Sequence, residues 1–352
     1  DMKLNEICEV YSGYALKAFN DAEDGLPVIK IGNILTDGTL NLEECQYTTD
    51  SVNEKYYSQR GDIYIALSGA TTGKIGIMDA GEKYVINQRV GIVRQKSDDV
   101  PQEYIKYFLL RQTDRILQEA AGCAQPNISP KQIAEYVIPD TSQEKMQEIC
   151  EVLDRIKKII DSRKAEMSAL DDLIKARFVE LFGDPIINSK DLETRDLKDV
   201  LVLKAGDFTA ASDISAEPTE INIYPCYGGN GIRGYVAEYN QEGEYSLIGR
   251  QGALSGNVQY AMGKFKNTEH ALLVTPMIQM NSIWLNQLLL NLDLKRYQTG
   301  AAQPGLSIKN LQDIQVLMVP IDEQSAFADF VRQVDKSKFV ERFLELSLFY
   351  GL

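Results

Sequence analysis

The amino-acid sequence predicts an α+β protein made of two homologous mixed α/β modules and two long helices. Three observations support this fold class: four sequence blocks occur twice in the same order, each copy alternates short β-like runs with turns, and a heptad pattern follows the first copy. At 352 residues the chain is long enough for two domains with separate cores. We expect the first module at residues 1–141, the first long helix at 142–183, the second module at 184–321 and a shorter second helix at 322–352.

The internal repeat is clearest around glycines. Residues 61–73 match residues 243–256 with one residue of slippage, and residues 125–131 match residues 303–309. Each copy then continues into a short apolar run that ends in proline, and a helical pattern begins soon afterwards. Ordered matches of this kind predict two copies of one structural module with loops of unequal length.

Within each module, β-branched runs predict strands and the apolar periodicity that follows them predicts one helix. The expected strands span residues 28–31, 63–67, 85–86 and 90–93 in the first module and residues 245–248 and 271–274 in the second. The expected helices span residues 102–121 and 281–299. The resulting order along the chain is module, long helix, module, long helix.

A heptad pattern predicts the first long helix. With Ser142 as its N-cap, positions spaced alternately by three and four residues run from Met146 to Leu181, and Gly183 and Pro185 end the pattern. A helix of about 39 residues is ~58 Å long. A second apolar face at the carboxyl end of the chain predicts the second long helix. Two such helices in one chain can pack on each other, and a homodimeric coiled coil is the alternative.

Composition and charge exclude several classes of protein. With 44% hydrophobic and 25% charged residues, the chain has globular composition. Its apolar stretches are shorter than the ~20 residues of a membrane span. The amino terminus shows no apolar run typical of a secretory signal, so we expect a cytoplasmic protein. The formal net charge of −14 argues against a free-standing DNA-binding protein, because such proteins usually carry a basic surface.

Catalytic and metal sites are not predicted. The five cysteines are odd in number and widely spaced, so we interpret them as buried thiols. The single His270 excludes any mechanism that needs two histidines, and a lone histidine is most often a structural side chain. The chain also has no N/D-P-P-Y/F methyltransferase motif and no nuclease-like cluster of acidic residues with lysine.

The ordered motifs resemble those of a known family. The strings G-D-I-x-I-x-x-S-G and G-K-I-G, then N-Q-R at residues 87–89, then A-Q-P-N-I-S and V-I-P before a long helix ending in L-F-G-D-P are similar to the specificity (S) subunits of type I restriction-modification enzymes. The second module carries the related strings Y-G-G-N-G-I-R-G-Y, I-G-R-Q-G and G-A-A-Q-P. The resemblance covers nearly the whole chain.

This resemblance implies two target-recognition domains, each of which reads half of a bipartite site in double-stranded DNA. It also implies that the two long helices form an antiparallel coiled coil that sets the spacing and docks two methyltransferase (modification) subunits. The resemblance further implies restriction subunits as partners. S-adenosylmethionine, ATP and magnesium are expected on these partner subunits, and no cofactor is expected on this chain.

The candidate DNA-contacting residues are polar side chains in glycine-containing loops that could enter a groove. In the first module they are Lys30, Asn33, Ser68, Thr71, Thr72, Lys74, Asn87, Gln88 and Arg89. In the second module they are Tyr227, Asn230, Arg233, Arg250, Gln251, Ser255 and Asn257. We expect Gln125 and Gln303 to organise the backbone rather than to read bases.

Several alternatives stay open at this point. Residues 68–74 also resemble a phosphate-binding loop, but the glycine spacing is one residue short and Ile75 stands where Ser or Thr would bind magnesium, so nucleotide hydrolysis is rejected. A polar hairpin turn there and a solvated loop at residues 30–33 are the structural alternatives. For the whole chain, the alternatives are a DNA-independent coiled-coil scaffold, which the net charge favours, and an enzyme with an unrecognised site.

Overall fold

The computed structural model describes residues 1–21, 24–121, 126–300 and 304–350, with side chains up to residue 338. Cys123, Gln125 and Gln303 lie outside the described residues. The chain forms two compact units, which we call unit 1 (Asp1–Ile159) and unit 2 (Ile160–Leu352). The division between them falls inside the first long helix.

Unit 1 is a mixed α/β unit whose two larger sheets have four and three strands. Its strands are β1 (Met2–Lys3), β2 (Cys8–Ser12), β3 (Leu26–Ile29), β4 (Gln46–Thr48), β5 (Ile63–Ala66), β6 (Ile75–Ile77), β7 (Val85–Ile86), β8 (Val90–Gln95) and β9 (Val137–Ile138). Its helices are α1 (Leu4–Ile7), α2 (Gln102–Leu110), α3 (Thr113–Ala120), α4 (Pro130–Ala134) and the first part of α5 (Gln143–Phe182). One sheet has the order β2-β8-β5-β6, and the other has the order β4-β3-β7.

Unit 2 contains one larger sheet. Its strands are β10 (Thr194–Asp196), β11 (Leu201–Ala205), β12 (Tyr224–Gly228), β13 (Gly231–Val236), β14 (Gln241–Gly249), β15 (Val258–Asn267), β16 (Ala271–Pro276) and β17 (Gln315–Leu317). Its helices besides α5 are α6 (Leu197–Val200), α7 (Ser282–Asn291), α8 (Ile308–Leu311) and α9 (Ile321–Tyr350). The sheet has the order β11-β16-β14-β15-β12-β13. In both units a short antiparallel pair, β1 with β9 or β10 with β17, joins the two ends of the module.

Strand β5 is the centre of unit 1 because both of its faces are buried. Ile63 and Ile65 point to one side and pack with residues of α2 and α3, whereas Tyr64 and Ala66 point to the other side and pack with residues of β3 and β7. In unit 2 the main core surrounds the fully buried Trp284 of α7.

The two helices predicted after the strands are shorter than expected. The prediction of one helix over residues 102–121 is wrong, because the chain turns between α2 and α3, where the Thr113 hydroxyl donates to the carbonyl oxygen of Leu110 at 3.1 Å. In unit 2, α7 ends at Asn291 because Asp293 adopts a left-handed conformation with φ of 47°. A short 3₁₀ turn, Leu294–Tyr297, follows it.

Helix α5 extends over Gln143–Phe182, one residue inside the predicted range at each end. The Ser142 hydroxyl accepts a hydrogen bond from the N–H of Lys145 at 3.3 Å, as expected of an N-cap. The heptad positions are buried or half-buried, except for Ile156 and Leu181, which are exposed. Within the described residues, no helix is long and apolar enough to cross a membrane.

The part of α5 in unit 2 contacts the described part of α9. The ring of Phe327 lies 5.5 Å from that of Phe178 and 5.6 Å from that of Phe182, measured between ring centroids. Further along α9, Lys338 Nζ forms an ion pair with Asp171 Oδ1 at 2.5 Å. Residues near the end of α5 thus contact the beginning of α9, and Asp171, which lies earlier in α5, contacts Lys338, which lies later in α9.

Four cysteines lie among the described residues, and all four are free thiols. Cys8, Cys150 and Cys226 are buried, and burial raises the pKa of the Cys8 thiol to about 12. The expectation of a buried thiol is wrong for Cys45, which is half-buried.

Candidate functional site

In each unit a polar loop follows a central strand, and backbone hydrogen bonds hold its first residue on both sides. In unit 1 this is the first loop, residues 67–74. The N–H of Leu67 donates to the carbonyl oxygen of Arg89 with an N···O distance of 2.9 Å, and the carbonyl oxygen of Leu67 accepts from the N–H of Ile128 at 2.9 Å. Because the loop is held from two sides, its side chains keep defined directions.

The second loop, residues 250–257 of unit 2, is held by the same set of bonds. The N–H of Arg250 donates to the carbonyl oxygen of His270 at 3.0 Å, and the carbonyl oxygen of Arg250 accepts from the N–H of Leu306 at 2.9 Å. The two loops thus occupy corresponding places in the two units.

This hydrogen-bond pattern also places Arg89 and His270 at corresponding positions. They end the turns at residues 87–89 and 268–270, each directly before a strand. In the first turn the N–H of Val90 donates to the carbonyl oxygen of Asn87 at 2.9 Å. In the second turn the N–H of Ala271 donates to the carbonyl oxygen of Thr268 at 3.1 Å. The repeat in the sequence is therefore a repeat of backbone geometry.

Five predicted residues of unit 1 lie in one region, because the first loop and the turn at residues 87–89 are bonded to each other. Gln88 and Arg89 are exposed, and Ser68, Thr71 and Lys74 are half-exposed. The Thr71 hydroxyl is buried and has no hydrogen-bond partner among the described residues. The accessible donors and acceptors of the other four residues can hydrogen-bond to base edges or to phosphates.

Three other predicted residues of unit 1, Asn33, Thr72 and Asn87, are buried and bond to the backbone. Asn33 Nδ2 donates to the carbonyl oxygen of Asn41 at 2.9 Å, and the Thr72 hydroxyl donates to the carbonyl oxygen of Gly69 at 2.7 Å. Asn87 Oδ1 accepts from the N–H two residues later at 3.2 Å. These side chains stabilise the loops from within.

Lys30 is directed at neighbours inside unit 1. Its Nζ lies 3.4 Å from the centroid of the Phe19 ring and donates to the side-chain oxygen of Gln46. Burial lowers the pKa of Lys30.

In unit 2, three predicted residues meet beside a pair of glycines. Asn230 and Gln251 are exposed, and Asn257 Nδ2 donates to Asn230 Oδ1 at 2.6 Å, which links the second loop to the turn between β12 and β13. A Cβ atom on Gly249 would lie only 2.0 Å from the carbonyl oxygen of Gly229. Glycine is therefore required for this close approach of the two chain segments.

The remaining predicted residues of unit 2 have different surroundings. Arg233 is exposed on β13, and Arg250 is half-exposed at the start of the second loop. The ring of Tyr227 packs against Phe265, with 5.4 Å between the centroids. Ser255 is fully buried, and its hydroxyl has no partner among the described residues.

The structure adds His270 and Glu269 to this site, and the sequence analysis missed both. His270 Nδ1 lies 2.6 Å from Gln251 Oε1, and His270 Nε2 lies 3.0 Å from Glu269 Oε1. The signal that could have found them is the alignment of residues 87–89 with residues 268–270. The residue types at these positions differ completely, so only the neighbouring strands mark the match.

The arrangement offers hydrogen-bonding side chains on loops held by backbone hydrogen bonds, and such side chains can read base edges. Among the described residues, no three His, Cys, Asp or Glu side chains are grouped so that they could hold a metal ion.

Comparisons with known proteins point to one family. The type I restriction enzyme EcoprrI specificity subunit of Escherichia coli is 35% identical over 201 residues, which cover 56% of this chain and 50% of that protein. The MjaVIII specificity subunit of Methanocaldococcus jannaschii is 26% identical over 179 residues, covering 48% of this chain and 42% of that protein. The matched region thus spans about half the length of these curated relatives.

A solved structure described as the type I restriction-modification system S subunit from M. genitalium shares the fold. It has a TM-score of 0.55 at 18% identity, over 99% of this chain and 92% of that chain. A family model described as the type I restriction modification DNA specificity domain matches residues 1–170 and 189–342. With both modules matched, this chain belongs to the family of type I restriction-modification DNA specificity domains.

Proposed function

We propose that this chain is the non-catalytic subunit that gives a type I restriction-modification complex its DNA sequence specificity. Each unit reads one half of a bipartite site in double-stranded DNA. The observation that carries the proposal is the duplicated hydrogen-bond pattern that presents the first and second loops on the same backbone.

The two units present different side chains from this common backbone. Unit 1 offers Gln88 and Arg89 beside the first loop, whereas unit 2 offers Gln251 and Asn230 beside His270. Since hydrogen-bond donors and acceptors on base edges distinguish the base pairs, different side chains select different sequences. The two half-sites are therefore expected to be unrelated in sequence.

The long helices act as the spacer in this proposal. We infer an antiparallel coiled coil of α5 and α9, supported by the contacts of Phe327 with Phe182 and of Lys338 with Asp171. A packed pair of helices keeps a fixed length, so the gap between the half-sites should be constant.

Two methyltransferase subunits and restriction subunits are the proposed partners, and they supply the binding sites for S-adenosylmethionine, ATP and magnesium. The net charge of −14 agrees with DNA binding by a complex and not by this chain alone, because basic partner surfaces would have to supply most of the phosphate contacts. The isolated chain should then bind DNA weakly at physiological salt. Work on DNA inside the cell would place the complex in the cytoplasm.

Methylome sequencing tests the proposal. Cells that carry this chain with its methyltransferase subunit should methylate one bipartite motif, and the motif should disappear when this chain alone is deleted. A motif that does not change when this chain is exchanged for a relative would contradict the proposal. That outcome would favour the scaffold, which the acidic charge also fits.

A further inference from the structure

Four residues of unit 2, Thr209, Glu269, His270 and Gln251, form a chain of contacts that runs from the backbone N–H of a buried residue to an exposed side-chain amide. The N–H of Thr209 donates to Glu269 Oε2 at 3.2 Å, and Glu269 Oε1 lies 3.0 Å from His270 Nε2. His270 Nδ1 in turn lies 2.6 Å from Gln251 Oε1. Thr209 is buried, the His270 side chain is 35% exposed, and Gln251 is exposed on the second loop.

The imidazole of His270 is thus placed between two oxygen acceptors. A neutral imidazole has one N–H and one bare nitrogen, whereas the protonated ring has two N–H donors. Only protonated His270 can donate to Glu269 and to Gln251 Oε1 at the same time. In that state the Gln251 amide keeps its NH₂ group free, which we call the donor-out arrangement.

The neutral ring requires a different arrangement. The carboxylate of Glu269 accepts only, so the single N–H must be on Nε2, and Nδ1 becomes an acceptor. Gln251 then turns its NH₂ group toward Nδ1 and leaves its oxygen free, which we call the acceptor-out arrangement. Each arrangement gives a hydrogen-bond partner to both ring nitrogens of His270 and to the Glu269 carboxylate.

We propose that His270 is a positioning residue that sets which face of the Gln251 amide meets the DNA, and thereby the base that unit 2 prefers at one position. The proposal rests on the proposed function of the chain. In the donor-out arrangement the amide pairs with acceptor edges, such as guanine N7 and O6, whereas in the acceptor-out arrangement it accepts from the amino groups of adenine or cytosine.

The corresponding position in unit 1 has no imidazole that could orient an amide in this way. Arg89 corresponds to His270 and carries only hydrogen-bond donors, while Gln88 and Ser68 correspond to Glu269 and Gln251. The half-site read by unit 1 is therefore an internal control in every experiment on His270.

Because the two arrangements differ by one proton on the His270 ring, the preference should depend on pH. Charged side chains on the neighbouring elements include Glu269 on the same turn, Arg250 on the second loop, Arg233 on β13, and Asp207, which pairs with Lys266 at 3.6 Å.

The test is selection from duplexes with one randomised half-site, using the full chain together with its methyltransferase partner at pH 6 and pH 8. For the wild type we expect the preference at one base pair to shift about tenfold, from G or T at pH 6 toward A or C at pH 8. The half-site read by unit 1 should not shift.

Two conservative variants sharpen the test. His270→Asn keeps an amide where Nδ1 was and cannot titrate, so its preference should be the same at both pH values. Glu269→Gln can accept from Thr209 and donate to His270 Nε2, which places the ring proton on Nδ1. This variant should keep the donor-out preference at pH 8.

The outcomes separate the two proposals. If the wild type selects a bipartite site whose preferences do not change with pH, or if the shift persists in His270→Asn, the inference about His270 is wrong and the proposed function stands. If the wild-type complex selects no sequence at either pH, the proposed function itself fails.

Discussion

The two units build the same loop geometry on different sheets. In unit 1, β6 and β7 are separate strands on either side of residues 78–84, and two small sheets result. In unit 2 the single strand β15 takes both places: it pairs antiparallel with β14 and parallel with β12, which joins six strands into one sheet. The hydrogen bonds around both loops are nevertheless the same, so loop geometry depends on the adjacent strands and not on continuity of the sheet.

The interiors of the units differ as well. In unit 1 the Arg94 guanidinium donates to both carboxylate oxygens of Asp62, at 2.8 and 2.6 Å, and the Tyr64 hydroxyl donates to the same group at 3.1 Å. The corresponding strand positions of unit 2 hold Tyr245 and Thr275, which cannot form an ion pair. The two units thus share the loop geometry, while each unit is stabilised by its own interior contacts.

The largest effect that separates the units should come from Asp62→Ala. It leaves the guanidinium of Arg94 without its counter-ion, and loss of one partner of a buried ion pair costs about 3–5 kcal/mol. Hydrogen exchange should show lost protection in unit 1 alone. As a control, Asp313→Ala breaks an exposed ion pair with Lys198 and should change nothing measurable. Equal loss in both units would mean that they do not fold independently.

A smaller effect, confined to unit 2, is expected from Gly249→Ala. The added methyl group would clash with the carbonyl oxygen of Gly229, at a cost of about 1–3 kcal/mol for overpacking. Unit 1 has alanine at the corresponding position, so Ala66→Gly is the matched reverse change and should cost only about 0.5–1 kcal/mol. Thermal unfolding of both variants checks the order. Similar losses would show that the units share the same packing at this point.

Paired loop variants test whether each unit reads its own half-site. Arg250→Ala with Gln251→Ala should remove about 1–3 kcal/mol of base discrimination at one half-site and leave the other unchanged. Gln88→Ala with Arg89→Ala should produce the opposite pattern. Site selection with the methyltransferase complex measures both. Equal loss at both half-sites in either variant would refute independent reading.

The subtlest change should follow from a longer spacer. Duplicating residues 163–169, with a matching insertion in α9, adds seven residues to each helix, which is about two turns and ~10.5 Å. Both half-sites should stay the same, and the gap between them should grow by about three base pairs. A four-residue insertion rotates the following chain by about 40° and should weaken selection instead. Methylomes in which the half-sites change while the gap stays constant would show that partner subunits position the units.

Part of this fold is predictable because it depends on residues close together in the sequence. The heptad pattern predicts α5 to within one residue at each end, since helix periodicity and the cap at Ser142 are local properties. The repeat of glycines and polar residues predicts two modules with corresponding loops, because turn residues are also a local property of the sequence. Local patterns did not predict the break between α2 and α3, where a single threonine hydroxyl binds the preceding carbonyl oxygen.

Only the tertiary structure decided where each polar side chain points and which groups it contacts. Asn33 and Asn87 have the residue type of a base-reading side chain, yet both are buried and bond to the backbone. His270 has the type of a structural side chain, yet it contacts the exposed Gln251. Residue type fixes how many hydrogen bonds a side chain can form. Which groups it bonds to depends on residues that are distant in the sequence. The sequence by itself therefore determined the first long helix and the family, and the folded chain determined which polar groups are exposed.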